Sequence, residues 1–428
     1  MIDRKQPPVL NSAHVLDIPE PMKAVLDNHI PVYLFDLGET NITKIDFIFE
    51  AGNRHQSQPL LAFYTNKMLS EGTLSYSAFE IAQKLDYYGA WLNKSVSKDH
   101  AIVSLSVPNR HLKYILPLLN EIINHPKFSD DELKTHTRKD KQAFIDDGRK
   151  VNEVAGLYFN HQLFGNRHPY GSLTTAEDFD RQQAEKLQAF HTVKYTADQC
   201  SIVVSGKLNK DILSLLNYFF GYTKKGKSET FAQQPAIVCS AGKKQFIEMP
   251  SSVQSAIRIG KISINKTHED FMKMYILNTI LGGYFGSRLM KNIREDKGYT
   301  YGIYSMILSF QQSAAFVIAS EVGAEVCDRA VDEIYKELKI INSELIAPDE
   351  LDLVKRYLAG SVLRSFDGPY QVADRFKSLL TYGLDYKQYY TELLHTINSI
   401  TAVELLQTSK KHLGADTMLE LIVGKAGK

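Results

Sequence analysis

Gly221-Tyr222-Thr223-Lys224-Lys225-Gly226-Lys227-Ser228 spells the phosphate-cradling pattern G-x-x-x-x-G-K-[ST] letter for letter. Its chemistry needs a strand before the loop and a helix after it, whose N-terminal amides and dipole hold the phosphates. Here an apolar run of helical period precedes and Pro235 follows too soon, so the segment reads as a linker. Gly282-Gly283-Tyr284-Phe285-Gly286 has neither the spacing nor the leading strand of a dinucleotide fingerprint. A helix-borne metal pair needs histidines four or five positions apart. The nearest pair among the 13 histidines, His161 and His168, is seven apart and followed by Pro169; a solvent-facing and a turn role are expected for them. Cys200, Cys239 and Cys327 lie at least 39 positions apart, which gives neither a thiolate metal site nor a disulfide framework and fits a reducing compartment. No G-x-S-x-G elbow occurs. Local motifs therefore show no catalytic machinery.

Composition narrows the elements that could position such groups. The 428 residues suggest two or three domains, and 44% apolar with 23% charged residues is that of a folded globular protein. Fifty basic against 49 acidic side chains leave +1, without the basic excess that tracks nucleic acid or holds anionic membranes. Met1-Ile2-Asp3-Arg4-Lys5-Gln6-Pro7-Pro8 is followed by no apolar run of the secretory kind, so a cytoplasmic location is expected. Gly298 to Ser320 carries no charge, but Gln311 and Gln312 interrupt it and its alternation reads as two strands rather than a membrane span.

Landmarks recur at nearly one offset. Asp131-Glu132-Leu133 returns as Asp349-Glu350-Leu351, 349 − 131 = 218, and the strand-like Cys200 to Gly206 returns as Met418 to Gly424, 424 − 206 = 218. Gly89 and Gly298, at helix-to-strand corners, are 209 apart. Two tandem copies of one domain follow, 1–221 and 241–428, with 222–240 between them. In the first copy, strands are expected at Pro31 to Leu37 and Lys44 to Ala51, with Asp46 and Glu50 on an outer face, and helices at Leu60 to Leu69 and Ser77 to Tyr88, where Ser77 and Glu80 could form a capping box. Ala101 to Val107 reads as a strand and Leu112 to Ile123 as a helix. One long helix is expected from Asp130 to about Phe164, then a strand near Cys200 to Ser205 and a helix at Asp211 to Phe220; Ser255 to Lys261 opens the second copy. The order implies an α+β fold: a sheet backed on one side by helices, occurring twice.

Leu60-Leu61-Ala62-Phe63-Tyr64-Thr65-Asn66-Lys67-Met68-Leu69-Ser70-Glu71-Gly72-Thr73 resembles the signature helix of the insulinase/pitrilysin family of zinc peptidases, the inverzincins, whose core is H-x-x-E-H. Phe63 and Lys67 stand where that family has its zinc-binding histidines, Asn66 where it has the water-activating glutamate, and Phe144 where the third ligand falls. The resemblance extends through His168-Pro169-Tyr170-Gly171 and Ser287-Arg288-Leu289 to Ile293-Arg294-Glu295-Asp296-Lys297-Gly298-Tyr299-Thr300-Tyr301. It implies two tandem homologous α/β sandwich domains of the mitochondrial-processing-peptidase-like, LuxS-like metalloenzyme fold, each with an antiparallel or mixed sheet backed by helices.

With all four site positions changed, the chain is expected to hold no metal, to need no cofactor of its own and to have no autonomous activity. In the family, an arginine and a tyrosine seven residues later face the zinc site and contact substrate; Arg294 and Tyr301 keep that spacing. The resemblance thus implies a non-catalytic subunit of a heterodimeric zinc metallopeptidase, lending Arg294 and Tyr301 to peptide bound at the zinc of a homologous partner. The bland alternative pairs Arg294 with Glu295 or Asp296 and buries Tyr301 in a strand. A non-proteolytic scaffold that kept only the fold is the other reading of the whole chain, and nucleotide binding through Gly221 to Ser228 is the last.

Overall fold

The computed structural model describes residues 17–226 and 244–425. The first half contains β1 (Met22–Val25), β2 (Pro31–Asp36), β3 (Ile42–Phe49), α1 (Leu61–Met68), α2 (Ala78–Tyr87), β4 (Trp91–Val96), β5 (Ala101–Pro108), α3 (Leu112–Asn124), α4 (Asp130–Asp147), α5 (Val151–Phe164), α6 (Ala176–Asp180), α7 (Ala184–Lys194), β6 (Cys200–Gly206) and α8 (Ile212–Phe220). The second contains β7 (Lys244–Glu248), β8 (Gln254–Ser263), α9 (Phe271–Asn278), β9 (Thr300–Ser309), β10 (Ala314–Gly323), α10 (Cys327–Ser343), α11 (Pro348–Arg364), α12 (Pro369–Leu380), α13 (Tyr386–Ser399), α14 (Ala402–His412) and β11 (Leu419–Gly424).

Two mixed sheets form, in the orders β1-β2-β6-β3-β5-β4 and β7-β11-β8-β10-β9. Apart from β1 the two orders match strand for strand, down to the one parallel pair in each, β2 with β6 and β7 with β11. The repeated Asp-Glu-Leu triplets both open helices, α4 and α11, and Gly89 and Gly298 both take positive φ, 60° and 67°, where a side chain would be strained. The uncharged stretch forms β9 and β10, and no helix among the described residues is long and apolar enough to cross a membrane.

Several expectations are corrected. The long helix is two: α4 stops at Gly148, Lys150 turns extended, and α5 leaves in a new direction. Strands β1 and β7 went unread, so the second half's described part opens at Lys244 rather than Ser255. The linker reading covers residues partly outside the described ones; within them Gly226 N donates to Asp198 Oδ1 at 2.5 Å, so an acid already occupies the loop amide that a phosphate would need.

Each sheet is covered on both faces, not one. The first sheet sets Val32, Leu34, Ile45, Phe47, Val103 and Ile202 against the first half's helices. Its other face receives α12 of the second half: Phe376 lies 4.8 Å from the Tyr33 ring and 5.3 Å from Phe35. Reciprocally, α5 of the first half covers the second sheet, where Val151, Ala155, Phe159 and Leu163 join Ala256, Val317, Leu419, Leu421 and Val423 in one cluster. The halves thus exchange a helix. Asp46, expected on an outer face, is fully buried beneath α12, with Lys377 Nζ at 2.5 Å and Ser104 Oγ at 2.5 Å. The matching position on the second sheet is Arg258, whose guanidinium donates to Asn152 O and Oδ1 on α5. The His168-Pro169-Tyr170-Gly171 turn belongs to the same seam: buried Tyr170 donates to Asp99 Oδ1 at 2.6 Å, and Asp99 Oδ2 accepts from Gln311 N at 3.0 Å across the halves. His168 caps that turn and is buried, while His161, half-buried, has its Nδ1 2.8 Å from Gly171 O rather than facing solvent.

Candidate functional site

The α1 helix buries Leu61, Ala62, Tyr64, Thr65 and Met68 against the first sheet, which turns Phe63 and Lys67, four apart, to its outer face. The α4 helix runs alongside and presents Asp140 and Phe144, also one turn apart. The two helices meet through Lys67 and Asp140, and none of the four positions that the resemblance implicates offers metal chemistry. Phe63 is 39% exposed and has no donor atom. Lys67 Nζ lies 2.6 and 2.9 Å from the two Asp140 oxygens and 5.5 Å from the Phe63 ring centre. Asn66 is buried and donates to Tyr195 OH at 3.0 Å, so its amide is engaged away from any water it would have to activate. Phe144 packs on Phe179 at 5.3 Å. A zinc ion needs imidazole, carboxylate or thiolate ligands within about 2.3 Å; the residues present do not fit it.

An ammonium stands where the cation would be, and Asp140, one turn before Phe144, supplies the carboxylate. Tyr64 OH donates to the same Asp140 at 3.1 Å, and burial together with that carboxylate pushes its phenol well above the usual range. A second amine borders the site: Lys94 of β4 donates to Lys67 O and to Ser70 Oγ, and burial lowers it to about 8 against the opposing pull of Glu71.

One group of ligand-type side chains was missed from sequence. Glu71, Glu132 and His136 place carboxylate and imidazole atoms within 4.8 Å of one another, with His136 Nε2 at 3.1 Å from Glu71 Oε2. The signal was the i, i+4 spacing of Glu132 and His136 on α4. Glu132 is exposed and Glu71 and His136 are half-buried.

In the second half Arg294 lies in a π-turn, Met290–Asp296, tied down by Asn292 Nδ2 to Glu337 at 2.8 Å and by Tyr299 N to Ile293 O at 3.0 Å. Its guanidinium sits 4.6 Å from the Phe285 ring centre, and among the described residues it forms no ion pair with Glu295 or Asp296. Tyr301, second in β9, is 94% exposed. The buried-strand alternative therefore fails for the tyrosine, and the ion-pair alternative for the arginine. Among the described residues no hydrogen bond, ion pair or ring contact joins either of them to Phe63, Asn66, Lys67 or Phe144. Within one chain the two constellations are separate.

A family model described as Insulinase (Peptidase family M16) matches residues 39–153, and one described as Peptidase M16 inactive domain matches 182–358. The chain belongs to the insulinase, or M16 peptidase, family. It is similar to a Bacillus subtilis (strain 168) protein named uncharacterized zinc protease YmxG, 26% identical over 329 residues, which covers 74% of this chain and 77% of that one. It is also similar to a Helicobacter pylori (strain 26695) protein named non-peptidase homolog YmxG, 24% identical over 301 residues, covering 69% and 68%. The crystal structure of a peptidase M16 inactive domain from Pseudomonas fluorescens superposes with TM-score 0.86 over 95% of this chain and 98% of its own, at 24% identity, and shares the fold.

Proposed function

We propose that this chain is the non-catalytic subunit of a heterodimeric zinc metallopeptidase: it pairs with a zinc-bearing homologue and lends Arg294 and Tyr301 to peptide bound at the partner's site. The observation that carries this reading is the state of those two side chains. Tyr301 is 94% exposed in an edge strand, and the half-buried Arg294 lies over the Phe285 ring with no counter-ion among the described residues, so phenol and guanidinium are both left for an outside partner. Guanidinium offers paired donors to a peptide carbonyl or carboxylate, and a phenol donates to an oxyanion as it forms. The partner's zinc and glutamate would supply the water chemistry. Support also comes from the emptied first-half site, where Lys67 and Asp140 satisfy each other, and from the relative named a non-peptidase homolog.

The test is reconstitution with the zinc-bearing homologue from the same cell. Arg294→Ala and Tyr301→Phe each should lower kcat/KM by about 10²-fold, the cost of losing one transition-state donor, while size-exclusion profiles of the pair stay unchanged. Full activity in both variants, or a native assembly holding no zinc-bearing homologue, would leave the scaffold reading in its place.

A further inference from the structure

Between α9, the π-turn at Thr279–Gly283, edge strand β9 and helices α11 to α13 lies a cavity of about 590 Å³, within the range of small-ligand sites. Among the described residues its charged lining consists of two cations, Lys266 and Arg375, and no carboxylate lines it. Lys266 Nζ donates to Ser378 O at 3.0 Å and lies 5.2 Å from the Tyr382 ring centre, so its charge rests on a carbonyl and a ring rather than on an acid. Burial lowers Lys266 to about 8, and Arg375 adds to the lowering. The acid next in sequence to Arg375, Asp374, is taken by Lys44 and Lys377 outside the cavity. Two like charges sharing a half-buried space repel each other, and an anion between them relieves both.

A second wall asks for something else. Asn278 is 7% exposed; its Nδ2 donates to Ser305 O at 3.2 Å, which fixes the amide's orientation, and its Oδ1 has no hydrogen-bond partner among the described residues. A buried, unpaired acceptor is unfavourable until a donor reaches it. Phe271, Val362 and Leu393 add apolar wall. The ligand that answers all three demands carries a carboxylate, an N–H donor close to it and an apolar group. A fatty acid lacks the N–H, and inorganic phosphate lacks the apolar group.

We propose that this cavity captures the C-terminal end of a short peptide, its carboxylate on Lys266 and Arg375, an amide N–H on Asn278 Oδ1, and an apolar last side chain against the wall. The site lies wholly within this chain and needs no partner, so it stands or falls separately from the role given to Arg294 and Tyr301. Calorimetric titration of the full chain at low salt, with N-acetyl-Ala-Ala-Phe as the free acid, the same peptide as its C-terminal amide, and octanoate, tests it. The acid should bind about tenfold or more tighter than either of the others. Arg375→Gln, which also removes the guanidinium's hydrogen bond with Tyr390, should weaken the acid by about tenfold while leaving the amide's affinity unchanged, and Ser361→Phe should block binding by filling the cavity. Equal affinity for acid and amide, octanoate matching the acid, no binding to the native chain, or binding unmoved by both variants would overturn the proposal.

Discussion

Lys377→Met tests the exchange of helices directly. In the native chain the fully buried Asp46 carboxylate, on the first sheet, meets Lys377 Nζ of α12 at 2.5 Å, with Ser104 Oγ at 2.5 Å and Lys44 Nζ further off at 3.7 Å. Methionine keeps the stem's apolar packing but removes the ammonium, so Asp46 is left with one hydroxyl and one distant cation in a dry interface. Breaking a buried pair from one side costs about 3–5 kcal/mol, because the remaining charge stays desolvated. Lys44 persists and Asp46 keeps one hydrogen bond, which sets the expected loss near the lower end, about 3 kcal/mol. The single tryptophan, Trp91 on β4, reports on the first sheet and gives the assay: urea unfolding followed by its fluorescence. The double variant Asp46→Val/Lys377→Met should return to within about 1 kcal/mol of native, since replacing both partners by apolar groups is close to neutral. Lys44→Met, at a half-exposed lysine, should cost under about 1 kcal/mol. If Lys377→Met costs no more than Lys44→Met, or the double variant is as unstable as the single, α12 does not hold the first sheet in the way described.

Acid should weaken the fold through two buried histidines. Burial is the main cause that lowers His100 and His191 to about 4 from an ordinary value of 6.5; Gln311 Nε2 meets His100 Nε2 at 3.2 Å, and His191 Nε2 lies 2.7 Å from Ile123 O. The unfolded chain takes up these protons near pH 6.5 and the folded chain only near 4. Stability is therefore complete above pH 6.5 and falls by about 1.4 kcal/mol per histidine for each unit below it, down to about pH 4. Urea midpoints that stay flat from pH 7 to 5 would contradict this. In a Glu71→Gln/His136→Gln background, which removes the neighbouring Glu71–Glu132–His136 group, metal analysis after dialysis against zinc should find no stoichiometric ion, because Phe63, Asn66, Lys67 and Phe144 supply no ligand set; one tightly held ion per chain in that variant would refute the reading of α1.

What was legible in the sequence was what short-range chemistry dictates. Ser77 and Glu80 form the capping box three residues apart, the paired landmarks 218 apart mark equivalent elements, and the uncharged stretch alternates as the strands it becomes. The break between α4 and α5 was hidden because a lone glycine among helix formers does not stop a helix; α5 turns there to reach a sheet that the sequence places a hundred residues later. Asp46 looked like an outer-face residue because its partner is 331 positions away. The identities of Phe63, Asn66, Lys67 and Phe144 could be read from the motif's frame, but Asp140 could not, since only the packing of α4 on α1 reveals which of several acids meets the lysine. The cavity was invisible for the same reason: Lys266 and Arg375 become neighbours only when α12 folds back.

The Lys67–Asp140 pair joins α1 to α4 through side chains of the protein itself. The cation is covalently part of α1, the carboxylate stands on α4, and Tyr64 adds a second hydrogen bond to it. Phe63 and Phe144 flank the pair as apolar surface, one beneath the ammonium and one against Phe179. The two helices are therefore held by contacts that need no external ion, at the modest strength of a half-exposed pair, about 1 kcal/mol or less. An arrangement of this kind keeps the first half folded but cannot polarise water or a carbonyl. The second half differs: Tyr301 stands exposed on β9, and Arg294 lies half-buried over the Phe285 ring without an acid among the described residues to neutralise it.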